Sequence, residues 1–229
     1  MRTAFATAMT LALAAPAAAQ QERTQQRTAT ITGGLEIGIP TGEFDASWGR
    51  QMAGISANMT LPMRRLPFSY GFDFAWQRMG GGTRKVTVDD PIVTSREGEM
   101  KVRSNLYGYH GMLRFQPYRG KVSPYLDGML GLRHFLTTTE VNVKGLDQPI
   151  LEERNESAFV GSAGFAIGAY YEVTRHFVLE ARFERLSGGR VTYVDPRSIE
   201  ITPAGEVTYG TLSSGSRMVN LTFGAGFRF

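Results

Sequence analysis

The last eleven residues, Val219 to Phe229, alternate without a break. Val219, Leu221, Phe223, Ala225, Phe227 and Phe229 are apolar, while Asn220, Thr222, Gly224, Gly226 and Arg228 between them are small or polar. Successive side chains of a strand point to opposite faces, so the pattern predicts one apolar and one polar face. About 9 to 11 such residues, tilted, cross a bilayer.

Seven earlier stretches alternate in the same way, which predicts eight strands, an even number sufficient to close a small barrel. The first, about Thr28 to Pro40, turns Ala29, Ile31, Leu35, Ile37 and Ile39 outward and Thr30, Thr32 and Glu36 inward. The second, about Arg50 to Leu61, sets Ala53, Ile55, Ala57, Met59 and Leu61 against Ser56, Asn58 and Thr60. In the third, Phe68, Tyr70, Phe72, Phe74 and Trp76 face out and Ser69, Gly71, Asp73, Ala75 and Gln77 face in. A charge such as Asp73 inside so aromatic a run is costly on a lipid face, and the period-2 placement removes that cost.

The fourth strand, about Lys101 to Gln116, opposes Tyr107, Tyr109, Leu113 and Phe115 to His110 and Arg114. The fifth, about Pro124 to Thr137, opposes Leu126, Leu130 and Leu132 to Tyr125, Asp127 and Arg133. The sixth, about Ala158 to Val173, has Phe165, Ile167, Ala169 and Tyr171 outward. The seventh, about Phe177 to Leu186, has Phe177, Leu179, Ala181 and Phe183 outward and Glu180, Arg182 and Glu184 inward.

The connections alternate in length. Pro62 to Pro67, Gln116 to Ser123 and Val173 to His176 are short turns, whereas the others hold roughly 10, 20, 20 and 30 residues. Barrels of this class keep short turns on the periplasmic side and long loops outside. Both termini are therefore expected in the periplasm. Lys85 to Val88, Glu140 to Lys144, Gly189 to Val194 and Glu206 to Gly210 still alternate, which predicts hairpins extending the barrel wall beyond the membrane. Trp48, Trp76, Tyr107, Tyr118 and Phe177, near strand ends, read as an interfacial girdle.

Met1 to Gln20 has one cation, Arg2, then an uncharged stretch rich in Ala, Leu and Met, then Ala17, Ala18 and Ala19. This predicts a signal peptide at residues 1–19, leaving residues 20–229 as the barrel domain. No later segment approaches 18 consecutive apolar residues, which excludes a helical membrane protein. Hydrophobic content is 42% and mean hydropathy is slightly negative. A barrel hides its membrane signal this way because only alternate residues meet lipid. Cysteine is absent, so a disulfide framework, a thiol nucleophile and a thiolate metal site are all excluded. The net charge is +4, but Lys and Arg are interspersed with Asp and Glu, and no Lys/Arg run exceeds two residues. No nucleic-acid partner is expected.

The chain resembles the outer-membrane β-barrel superfamily of OmpA-, OmpX- and OmpW-type, or porin-family, proteins. The resemblance is carried by P-T-G-E-F at Pro40 to Phe44, S-P-Y-L-D-G-M-L-G-L at Ser123 to Leu132 and the terminal G-F-R-F of Gly226 to Phe229. It implies the outer membrane of a Gram-negative-type bacterium. It also implies assembly through a terminal aromatic signal, here Phe227 and Phe229, read by the barrel-assembly machinery. It does not imply a single activity, since the family includes structural, adhesive and narrow-channel members.

The inward residues carry whatever chemistry there is. Glu36, Asp73, Asp127, Glu180 and Glu184 supply acids, and Arg114, Arg133, Arg182 and Arg228 supply bases, with His110 beside them. Eight strands leave an interior just wide enough for side chains to fill, where charges are expected to pair and hydrogen-bond. A plugging ion-pair network is thus expected ahead of a conducting lumen.

Catalytic, cofactor and metal sites are not expected. Leu132 to Phe135 is similar to the histidine segment of the lipid A deacylases, but the serine expected two positions beyond His134 is Leu136. His110, His134 and His176 are separated, without the spacing of a metal site. Gly80 to Gly82 reads as a loop tip, since no G-K-[ST] follows.

The expected protein is all-β: a monomeric, eight-stranded, antiparallel, up-and-down transmembrane barrel contacting outer-membrane lipid and lipopolysaccharide. It is expected to have no enzymatic activity, and a structural or surface-interaction role through its long loops. The alternative is a narrow pore or hydrophobic-ligand channel of the OmpW type. A secreted lipocalin-like binder ranks third and would require the apolar faces to point inward.

Overall fold

A computed structural model describes residues 28–64, 66–88, 96–143, 151–201 and 207–229. The expected signal peptide lies outside the described residues. Eight long strands close into an antiparallel barrel: β1 (Thr30–Pro40), β2 (Met52–Pro62), β3 (Phe68–Val88), β4 (Arg96–Phe115), β5 (Val122–Val143), β6 (Leu151–Glu172), β7 (Phe177–Gly188) and β12 (Met218–Arg228). Sequential neighbours pair, except that β12 inserts between β7 and β1 and closes the ring. Thr30 faces Arg228 and Pro40 faces Met218 along that seam.

The period-2 pattern decides the faces. Leu35 and Leu130 are each 72% exposed on the outer wall, while Glu36 and Asp127, on the opposite face of the same two strands, are buried inside. Ile55, Phe72, Leu113, Leu132, Phe165, Leu179 and Phe223 continue the outer apolar belt. At the seam, Gly34 and Gly224 are register partners, and a Cβ on either would meet the opposing backbone at under 3 Å. The two glycines allow the first and last strands to approach each other there.

β3 to β6 run 20 to 22 residues, about twice a bilayer crossing, so their outer halves stand above the membrane as the predicted wall extensions. Lys144, at the end of one predicted stretch, lies outside the described residues. The stretch Gly189 to Val194 departs from expectation. β8 (Arg190–Val194) pairs with β11 (Thr211–Gly215) in a sheet of its own, and does not join the wall. Val207 and Thr208, from the last predicted stretch, form β10, which pairs with β9 (Glu200–Ile201) in a second small sheet.

The β8–β11 hairpin folds over the barrel mouth because its apolar side chains have partners there. Val191 and Tyr193 pack with Met79, Leu106, Phe135, Val160 and Met218, which point inward from the upper wall. A short helix, α1 (Glu43–Trp48), adds Phe44 and Trp48, four residues apart and hence on one face. Gly42 (φ 64°) and Gly49 (φ 61°) bound the helix with left-handed backbone that other residues rarely adopt. Trp48 is therefore not part of an interfacial girdle: it is 4% exposed and edges against Tyr193, with ring centroids 5.9 Å apart. Trp76, Tyr107 and Phe177 remain half-buried on the outer wall.

Candidate functional site

The lumen is layered. At the periplasmic end Tyr125, Tyr170 and Val178 pack into an apolar floor. Above it, register brings Arg114 of β4 opposite Asp127 of β5, and the planar guanidinium engages the carboxylate twice, Nε to Oδ1 at 2.7 Å and Nη2 to Oδ2 at 2.8 Å. Such a fork fixes geometry as well as energy. Arg114 also donates to the Tyr170 hydroxyl and lies 3.6 Å over the Tyr125 ring. Glu180 of β7 sits 3.9 Å from Arg114 and accepts hydrogen bonds from Thr32, Asn58 at 3.1 Å and the Tyr125 hydroxyl, on three further strands.

Arg182 is the second hub. From β7 it reaches Asp73 on β3, four strands away around an eight-stranded ring and therefore on the opposite wall, at 2.6 Å. It also lies 3.4 Å from Asp127 and 3.0 Å from Glu184. These side chains are at most 1% exposed, so a charge at this level faces protein in every direction. Isolated, each would carry a large desolvation cost, which the mutual contacts offset.

Higher up, neutral partners replace charged ones. Glu36 accepts from Gln77 and from Thr222 at 3.2 Å, and Glu184 accepts from Asn220 at 3.1 Å. Arg133 donates to the backbone carbonyl of Ser216, and His110 Nε2 contacts the Ser162 hydroxyl at 2.5 Å. A cavity of about 10 Å³ remains between Asp73, His110, Arg133 and Glu184, at the lower limit for one water. The apolar mouth closes over it.

Of the expected network, Arg114, Arg182, Asp73, Asp127, Glu180 and Glu184 come together as ion pairs. Among the described residues, Glu36, Arg133 and His110 enter no ion pair, although all three line the same lumen. Arg228 is a correction: it sits at the periplasmic rim, where it pairs with Glu172 at 3.1 Å, because the last strand ends there. The acids inside thus outnumber the guanidinium groups. Reading charges alone missed Tyr170, Gln77 and Asn220 as partners. Gln77 and Asn220 were legible as inward positions, whereas Tyr170 falls in a Gly- and Ala-rich strand whose inner face has little contrast.

Among the described residues two Ser–His contacts occur, and no carboxylate among those residues joins either as the third member of a hydrolytic triad. His134 Nε2 lies 2.9 Å from the Ser157 hydroxyl on the neighbouring strand, with its ring stacked between Tyr107 and Phe159. A serine two residues along the same strand was the expected arrangement, so the cross-strand pair escaped the sequence. Among the described residues no carboxylate contacts His134 or His110, so nothing orients either imidazole as a base.

Several solved structures are similar at low identity. The attachment invasion locus protein Ail of Yersinia pestis is 15% identical over 89% of this chain and 100% of that one, with a TM-score of 0.49. OprG of Pseudomonas aeruginosa is 12% identical over 89% and 96%, with a TM-score of 0.44. Outer Membrane Protein W of Escherichia coli is 11% identical over 90% and 100%, with a TM-score of 0.35. No curated protein sequence matches the chain. The sequence model of the family described as outer membrane protein beta-barrel domain matches residues 5–229, nearly the whole chain. With the closed eight-stranded ring and its apolar belt, that match identifies the chain as a member of the outer membrane protein β-barrel domain family, a protein of the bacterial outer membrane.

Proposed function

We propose that this protein is a non-enzymatic barrel with a structural or surface-interaction role, and that its lumen is closed to ions and solutes. The observation that carries the reading is the Arg182–Asp73 contact, which spans the barrel from one wall to the other within a network of buried charges. A permeating ion would have to separate these partners in surroundings where unpaired charge is costly. The outer belt is covered by membrane lipid, including lipopolysaccharide in the outer leaflet, and the chain acts as a monomer. The barrel-assembly machinery reads the terminal aromatic residues, of which Phe227 and Phe229 are each 61% exposed.

Single-channel recording of the refolded protein in planar bilayers tests the closed lumen. No steady current above the bare-membrane level is expected. A stable ohmic current from the parent protein would reject closure and favour the narrow-pore alternative.

A further inference from the structure

The positive charge of the chain is concentrated at its periplasmic end. There β2 connects to β3, β4 to β5 and β6 to β7 through turns 63–67, 116–121 and 173–176. These turns hold Arg64, Arg65, Arg119, Lys121 and Arg175, and no Asp or Glu. Their five cations exceed the whole chain's net charge of +4, so all other residues together carry −1. Glu172, beside the third turn, is taken by Arg228 at 3.1 Å. Arg64, Lys121 and Arg175 are exposed and, among the described residues, enter no ion pair. Turns this short hold their side chains within the headgroup layer, which extends about 5 to 8 Å beyond the hydrocarbon.

A trough in the outer wall begins at the same rim and encloses about 1070 Å³. Val122, Tyr171, Leu179, Ala225, Gly33 and Ala57 line it, each the register partner of the next across six neighbouring strands. Val122 opens β5 at the rim, whereas Ala57 lies midway along β2, so the row climbs the wall. Side-chain size makes the relief. Ala225, Gly33 and Ala57 form a low floor, and Phe223, Leu35 and Ile55, the next outward residues of the same strands, stand 50% to 72% exposed above it.

The charge and the trough meet at Lys121. It directly precedes Val122, and its ammonium lies 5.6 Å over the ring of Tyr171, so the lower end of an apolar trough carries a cation at headgroup depth. Acyl chains fit the trough, and a phosphate on the same molecule meets the cation. A zwitterionic headgroup would also bring an ammonium against turns that hold only positive charge, whereas an anionic one brings no like charge. We propose that the periplasmic turns and the trough bind an anionic phospholipid of the periplasmic leaflet, with its phosphate at Lys121 and an acyl chain rising past Tyr171 toward Gly33 and Ala57. The site holds whether or not the lumen conducts.

Native mass spectrometry of the refolded protein released from detergent micelles counts individual bound lipids and tests this. Phosphatidylglycerol and phosphatidylethanolamine with identical acyl chains are titrated separately. One saturable phosphatidylglycerol is expected, bound roughly tenfold tighter than phosphatidylethanolamine. Lys121→Gln and Arg175→Gln should each weaken phosphatidylglycerol about fivefold, and Arg185→Gln, the same charge change near the extracellular end of β7, should leave it unchanged. Ala225→Leu raises the floor of the trough with every charge in place and should also weaken binding. The heat-dependent gel mobility of each variant confirms that it has folded. Equal affinity for the two lipids would overturn the proposal, as would phosphatidylglycerol binding that survives Lys121→Gln combined with Arg175→Gln, or that Ala225→Leu leaves intact. Displacement of the lipid by a soluble anionic muropeptide would also overturn it and mark the basic turns as a cell-wall surface.

Discussion

Replacing Arg182 with methionine isolates the contribution of charge from that of volume. The variant keeps an unbranched side chain among Met112 and Met129 but removes the only cation that contacts Asp73 and Glu184 among the described residues. Asp127 retains its two contacts with Arg114. Breaking a buried pair by removing one partner typically costs about 3 to 5 kcal/mol. Here two carboxylates lose their cation, and Glu184 keeps only Asn220, so about 3 kcal/mol is a lower expectation after water entry offsets part of the loss. Adding Asp73→Asn and Glu184→Gln removes the uncompensated groups and should recover most of that loss, since deleting both partners is far milder than deleting one. Urea unfolding in thin lipid vesicles, followed by tryptophan emission, measures both. A loss below about 1 kcal/mol for Arg182→Met, or strict additivity of the three substitutions, would refute the network as an energetic unit.

Leu35→Arg should cost about 2 to 4 kcal/mol in vesicles, because this 72% exposed side chain lies midway along β1, whereas Leu35→Ala should change little; an Arg variant as stable as the Ala variant would contradict the lipid-facing assignment. Gly34→Ala should slow refolding and lower the folded fraction on gels, since its Cβ would lie 2.6 Å from the Gly224 Cα at the closing seam. Gly128→Ala, with open space around it, should refold like the parent, and equal behaviour of the two variants would remove the seam argument. Deleting Phe229, whose N–H donates to the Ala29 carbonyl at 3.0 Å, should leave less protein in the outer membrane and more in the periplasm.

The barrel was legible because lipid and lumen impose opposite demands on alternate residues, and a one-residue error in register would put Asp73 or Glu180 into hydrocarbon. The charged middle layer was legible for the same reason. What met what was not, because partners such as Arg182 and Asp73 sit 109 residues apart and their contact depends on closure and stagger of the ring. Arg228 was misplaced inside because alternation gives the face of a residue and not its height. The hairpin was misread for a related reason. Arg-Val-Thr-Tyr-Val alternates as a wall strand does, and only the inward Met79, Leu106 and Phe135 at the top of the wall create a place for Val191 and Tyr193. Phe44 and Trp48, at helical spacing beside two glycines, were the available signal that a plug and not a plain loop follows the first strand.

The two closures proposed for the lumen are physically different and lie in series, which makes a sharper demand than either alone. On the closed-lumen proposal the middle layer excludes ions through its paired charges, and the mouth through the packed side chains of Phe44, Trp48, Phe135 and Tyr193, with Phe44 centred 6.0 Å from Phe135 and 5.7 Å from Tyr193. For barriers in series, the taller one remaining controls the current. Arg182→Met should therefore conduct no better than the parent while the mouth is intact. Phe44→Ala with Tyr193→Ala should open the mouth, at about 3 to 5 kcal/mol for each deeply buried ring lost, and still conduct poorly, because Arg114 and Arg182 remain in place. Only the combination should give a steady current in planar bilayers. Conduction by Arg182→Met alone at the level of the combined variant would show that the α1 and hairpin core packs the mouth without sealing it.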